Sequence, residues 1–184
     1  MELDKAIKSR YSCKRFNDKK PDWRDIIECV DACRYAPMAG NIFSLKLIIV
    51  DDKNKIEKLA QAAQQEFISR VHYVVVVCSD PTMTIDAYGP RGERYCRQQA
   101  GAAIQNFLLK ITEKGLNTCW VGHFVDEQVR DALTIPKNCL IEAILPIGYE
   151  FSPSKKRRKI ELDNILYFNR YKNKKMKRPK KVDT

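Results

Sequence analysis

At 184 residues and 44% hydrophobic content the chain can bury one full core, and a single domain is the default at this length. Seven cysteines without a Cys-x-x-Cys pair argue against a disulfide framework, and with only His72 and His123 as imidazoles no zinc site is expected. No apolar run approaches the ~18 to 20 residues of a membrane span and Met1-Glu2-Leu3-Asp4-Lys5 is no signal peptide, so a reducing, cytoplasmic setting is expected. The net charge of +11 is concentrated at one end, because residues 155–184 hold 13 Lys/Arg against 3 Asp/Glu.

In chain order, Leu3 and Ile7 among charges predict a first helix that runs into Arg10-Tyr11-Ser12-Cys13-Lys14-Arg15-Phe16. Pro21-Asp22 starts a second, with Asp22 as cap, Asp25 in the first turn, an apolar stripe of Ile26, Ile27, Val30 and Cys33, and a stop before Pro37. Leu45 to Val50 is a strand, Lys55 to Ser69 a helix, and Val74 to Cys78 a buried, β-branched strand. Asp80 to Arg94, with Pro81, Gly89, Pro90 and Gly92, reads as a loop or lid. Ala100, Ala103, Ile104, Phe107, Leu108 and Ile111 then recur at helical spacing up to Gly115, giving the core helix. Strands at Thr118 to Phe124 and Leu140 to Gly148 flank a short helix at Asp126 to Leu133, an alternation typical of an α/β layer. The final stretch from Arg170 is almost devoid of apolar residues and is expected to be a disordered or surface-laid basic tail.

Arg10, Ser12 and Lys14 stand at alternate positions, which in an extended segment project to one side. Two cations and a hydroxyl suit an anionic phosphate, since charge-assisted hydrogen bonds are roughly twice as strong as neutral ones and Arg adds a planar fork. A solvated basic turn is the competing reading. Ala36-Pro37-Met38-Ala39-Gly40-Asn41 is a turn by its residue types, and its Asn offers an amide that both donates and accepts. Thr118-Cys119-Trp120-Val121-Gly122 reads as a core strand with one buried Trp. No acid-base pair and no nucleophilic Ser or Cys beside a His stands out, so no catalytic side chain is assigned.

The order and spacing of these three stretches, with Gly115-Leu116-Asn117 before the third and the helix from Gly101 to Leu109, resemble the nitroreductase family over residues 1–168. The likeness implies an α+β fold, a mixed sheet flanked by helices, in an intertwined homodimer that binds FMN between subunits. It sets residues 1–168 apart as the FMN-binding domain and leaves 169–184 as the basic tail. It implies phosphate contacts from Arg10, Ser12 and Lys14, and from Lys156-Arg157-Arg158, where five consecutive basic residues leave the register open and a solvated run competes. It further implies that Pro37, Met38, Ala39 and Asn41 come from the partner subunit to lie along the flavin ring, that the backbone of Trp120, Val121 and Gly122 approaches N5, and that Gln65, with Gln64 as the alternative, faces the flavin. Where the family has x-Gln-Pro-Trp after its Asn, this chain has Ile42-Phe43-Ser44-Leu45, so its substrate-facing rim differs.

The expected activity is ping-pong electron transfer from NAD(P)H to a nitroaromatic, quinone or related acceptor, with NADH and NADPH undistinguished by sequence. Two alternatives stand beside it: another flavin reaction on the same fold, such as reductive dehalogenation, and a binding protein whose basic tail docks on nucleic acid or an anionic membrane.

Overall fold

The computed structural model describes residues 1–152 and 158–176. Its centre is a four-stranded antiparallel sheet in the order β1 (Leu45–Val50), β2 (Tyr73–Ser79), β4 (Leu140–Gly148), β3 (Asn117–Thr118). The run Tyr73-Val-Val-Val-Val-Cys-Ser79 takes a central place because every one of its residues is buried, as β-branched side chains on both faces of a covered strand allow. A bulge between Val77 and Cys78 shifts its register against β4. Beyond β3 the sheet gains a parallel bridge from Ser12 to Thr118, which makes its edge mixed.

Alternation along β2 separates two cores. Val74, Val76 and Cys78 join Ile48, Val50, Ile144 and Val121 on one face, covered by α3 (Lys53–Ala62) and α6 (Asp126–Leu133). Tyr73, Val75 and Val77 join Leu45, Leu145 and Ile147 on the other, against α2 (Trp23–Asp31) and α5 (Gly92–Glu113). The short α1 (Leu3–Ser9) packs on α5. Asp22 caps α2 through the Arg24 N–H at 2.9 Å, and Asp52 caps α3 through the Lys55 N–H at 3.0 Å, each filling an orphan donor of the first turn. Gly115, at φ +70°, takes the left-handed position that ends α5. No helix among the described residues is long and apolar enough to cross a membrane.

Three expectations are corrected. The helix read from Lys55 to Ser69 stops at Ala62, because Gln64 turns left-handed at φ 52° and the chain resumes as a 3-10 turn, Glu66–Arg70. The stretch 80–94 is not a loop: it forms α4 (Thr82–Tyr88), a 3-10 turn at Gly89–Arg91 and the start of α5. Its prolines, which read as breakers, sit where a helical turn needs no donor from them, Pro81 just before α4 and Pro90 at the start of the 3-10 turn, and Asp80 accepts from the Thr82 N–H at 3.0 Å as α4 begins. The strand read from Thr118 to Phe124 ends its ladder early. Val121 exchanges both backbone bonds with Ile144, at 3.1 and 2.9 Å, in the same register as Asn117 with Gly148. Between them, Cys119 faces Pro146, which has no N–H to give its carbonyl.

The chain divides into two compact units, Met1–Ser154 and Lys155–Thr184. Within the second, a 3-10 turn spans Leu162–Asn164, Tyr167 and Tyr171 meet edge to face at 5.0 Å, and Arg158 pairs with Glu161 at 2.8 Å.

Candidate functional site

The arm after α1 is extended because it pairs with the sheet. The Cys13 N–H donates to the Thr118 carbonyl at 2.9 Å, the Asn17 N–H to Tyr149 at 2.9 Å, and Phe16 bridges Glu150. Cys13 and Phe16 are buried, which turns Ser12 and Lys14 outward and leaves Arg10 half-buried. Lys14 Nζ donates to Gln65 Oε1 at 3.3 Å and lies 5.3 Å from the Phe67 ring centre, so Gln65 rather than Gln64 joins this group. Among the described residues neither Arg10 nor Lys14 has a carboxylate partner.

Opposite the arm lie Thr118 to Gly122. Burial pushes the Cys119 thiol up, while the charge of Lys14, the Ser12 hydroxyl and the charge of Arg10 act against it, so all three arm residues bear on one buried sulfur. Thr118 Oγ1 is buried and has no partner among the described residues. Val121 is buried, but Trp120, expected to be buried, is 41% exposed because the ladder that would cover it ends before it, and a Cβ on Gly122 would meet only Trp120 Nε1, at 3.9 Å. The strand therefore presents an open backbone edge beside an exposed indole.

Pro37, Met38, Ala39 and Asn41 lie elsewhere. Met38 packs against the core of α5, on the sheet face away from Cys13, Cys119 and Val121. Their loop enters β1 at Leu45, the edge strand opposite the one that Ser12 extends, and at the other end of the ladder. Strand spacing and rise put these corners roughly 30 Å apart. Within one chain the two groups do not meet.

Gly40 and Asn41 are both left-handed, at φ 57° and 56°, and a Cβ on Gly40 would sit 2.5 Å from Tyr88 Oη. Asn41 is exposed and its side chain makes no hydrogen bond among the described residues. Of the basic cluster, Lys156 and Arg157 lie outside the described residues, and Arg158 is paired with Glu161 in the second unit.

Some residues escaped the sequence. Tyr11, Asn117 and Glu150 form a hydrogen-bonded ring that ties the arm to the sheet, and nothing in their spacing marks it. Gln99, 4% exposed, is a lone amide on the apolar stripe of α5, and a polar residue at a stripe position was the available signal. The donor set fits a phosphate: among the described residues it has two cations free of carboxylates, an exposed hydroxyl, and a buried hydroxyl without a partner on the neighbouring strand.

The α+β sheet thus carries a phosphate-suited arm at one corner and a left-handed Asn turn at the other. The Nitroreductase family profile matches residues 7–72 and 62–149, and the chain belongs to that family. It is 28% identical over 153 residues to a protein of Archaeoglobus fulgidus provisionally named NADH dehydrogenase/NAD(P)H nitroreductase, covering 80% of this chain and 85% of that one. It is 22% identical to an iodotyrosine deiodinase of Thermotoga neapolitana, covering 89% and 96%. The solved FMN-dependent nitroreductase of Clostridium difficile R20291 superposes with a TM-score of 0.77 at 23% identity, over 90% of this chain and 98% of that one.

Proposed function

We propose that the protein binds FMN and transfers electrons from NAD(P)H to a nitroaromatic, quinone or related acceptor by ping-pong exchange. The observation that carries this reading is the arm: Arg10 and Lys14, with no carboxylate partners among the described residues, stand either side of Ser12, which bridges Thr118, while the Cys13 N–H bonds the Thr118 carbonyl at 2.9 Å. There they would hold the phosphate. FMN bound in this way supplies the two-electron exchange that no side chain here offers.

The chain's own residues then position and shield. Arg10 and Lys14 neutralise the phosphate, and Gln65, which accepts from Lys14 Nζ, fixes that side chain's direction. The backbone from Trp120 to Gly122 stays open to a planar ring, while buried Val121 locks it to Ile144. Asn41 would serve the ring's polar edge from a second copy of the chain, since its own arm is at the opposite corner of the sheet. A dimer also has a surface to form on. An apolar groove of about 300 Å³ runs between α1 and α5, lined by Leu3, Ala6, Ala32, Tyr35 and Leu109, with Leu3 65% and Tyr35 75% exposed. We take residues 1–168 as the catalytic part, residues 169–184 as a basic tail, and the cytoplasm as its place of work.

A second reading, reductive dehalogenation on the same flavin site, is favoured by the likeness to the deiodinase, which covers 96% of that protein. Both readings share one first test. Purified protein loaded with FMN and mixed with NADH or NADPH without oxygen should lose its yellow colour, and adding a nitroaromatic or quinone should restore it. A protein that retains no FMN ends both readings. One reoxidised by 3-iodotyrosine but not by the other acceptors moves the assignment to dehalogenation.

A further inference from the structure

We propose that Gln99 is a positioning residue: its buried amide holds the Ala39–Ser44 loop in the one conformation that presents Asn41. What Asn41 is presented to rests on the flavin reading above. A primary amide brings two donors and an acceptor oxygen into the core, and these must be satisfied there. They are, and every partner is in the loop. Oriented by its neighbours, the amide nitrogen donates to the Ile42 carbonyl and to Ser44 Oγ, both at 3.1 Å, and the amide oxygen accepts the Ala39 N–H at 3.0 Å. Ser44, itself buried, is braced from α5 a second time by the Cys96 thiol at 3.2 Å.

The anchored positions bracket the turn. Ala39 precedes and Ile42 and Ser44 follow the two left-handed residues, Gly40 and Asn41. Asn enters that region more readily than most L-residues, yet it also populates others, so the turn stays in this one conformation only where something imposes it. Asn41 does not impose it, since its side chain has no partner among the described residues and is exposed. From the other side Tyr88 closes on Gly40, leaving no space for a Cβ, and Tyr88 is itself braced edge-on by Tyr95 of α5 at 5.2 Å. The loop is thus boxed by α4 above and the Gln99 amide below, and Asn41 is its outward tip. Gln99 touches neither the arm nor Trp120, so any influence on a bound ligand must pass through the loop.

Gln99→Met keeps the length of the side chain and removes its hydrogen bonds. FMN affinity and midpoint potential would be measured for the wild type, Gln99→Met, Asn41→Ala and the double variant. Acting through Asn41, Gln99→Met weakens FMN binding about tenfold and shifts the potential in the same direction as Asn41→Ala, and the double variant is no worse than Asn41→Ala alone. Additive losses, or affinity and potential unmoved by Gln99→Met, overturn the proposal. Should Gln99→Met fail to fold, Ser44→Ala removes one loop-side partner and is expected to give a smaller change of the same sign. A flavin-free readout separates this proposal from the one beneath it. Amide hydrogen exchange over residues 39–44 should quicken about tenfold in Gln99→Met. If the wild type retains no FMN yet exchange quickens, the flavin reading falls and the positioning role stands; if exchange is unchanged, the positioning role falls whatever the flavin does.

Discussion

The Tyr11 hydroxyl donates to the Glu150 carboxylate, and Asn117 closes the ring, giving Nδ2–H to Tyr11 Oη at 3.2 Å and accepting the Glu150 N–H at 3.2 Å. Tyr11, the ring's member on the arm, stands between Arg10 and Ser12, so the ring fixes the arm against the sheet at that point. Burial, followed by the hydrogen bond and charge of Glu150, pushes the Tyr11 hydroxyl well above its ordinary value of 10.0, and it remains a donor at any working pH. Tyr11→Phe leaves a partly buried carboxylate without its donor. The expected loss is about 1 to 3 kcal/mol of unfolding free energy, read as a lowered midpoint in urea with an unchanged slope. A midpoint equal to wild type would show the ring to be ornamental to stability.

The phosphate grip makes a second prediction. Hydrogen bonds to charged groups are worth roughly 1.5 to 3 kcal/mol, so Arg10→Ala should weaken FMN binding at least tenfold. Arg15 is the control. It sits on the same arm but lies 5.6 Å from the Phe151 ring centre, away from the Ser12 side, and Arg15→Ala should leave FMN retention intact. Equal retention by both variants on dialysis would take Arg10 out of the site.

All seven thiols are buried, and burial pushes Cys29, Cys33 and Cys78 up to about 12 from an ordinary 9.0. Native protein at pH 8 should therefore react with none of its thiols on a timescale of minutes, and with seven once unfolded. The sign of the pH effect follows. Above pH 9 the unfolded chain releases these protons and the folded one keeps them, so the unfolded state binds fewer protons and stability falls as pH rises from about 9 toward 12. Each such thiol withdraws at most ~1.4 kcal/mol per pH unit. A urea midpoint that is flat from pH 8 to 10.5 would contradict the burial of these groups.

Much of the fold was legible because period and local chemistry agree. β1 and β4 are short apolar runs rich in Ile, Leu and Val, α6 is the charged stretch before the second of them, and each runs where it was read. Failures came where a long-range partner decides. Only the pairing of β4 with β3 shows that Pro146 interrupts the ladder opposite Cys119, and only the cap from Asp80 turns Pro81 from a breaker into a helix start. The candidate site was legible where residue types carry charge, as at Arg10 and Lys14. It was illegible where a neutral group acts through geometry. The stripe position of Gln99 marks it as unusual, but what its amide holds shows only when the fold places the 39–44 loop on it, and Thr118 looks like any strand Thr until its hydroxyl is seen without a partner among the described residues.

The last prediction tests whether two chains share one site. Arg10 and Asn41 occupy opposite corners of the sheet, so a ligand held by both must bridge two subunits. Mixing Arg10→Ala chains with Asn41→Ala chains then gives a heterodimer in which one site carries both lesions and the other carries neither. Each homodimer has two damaged sites, whereas the heterodimer has one intact. After unfolding and refolding together, about half of the dimers should be hetero, and FMN titration should reveal a class of sites at wild-type affinity that neither parent shows. Dilution should release FMN and dissociate the dimer over the same concentration range, by mass action. If each chain builds its own site, mixing gives no wild-type class at all, and a monomer keeps its flavin on dilution. The two outcomes differ in the presence of a tight-binding phase, which a fluorescence titration of FMN reads directly.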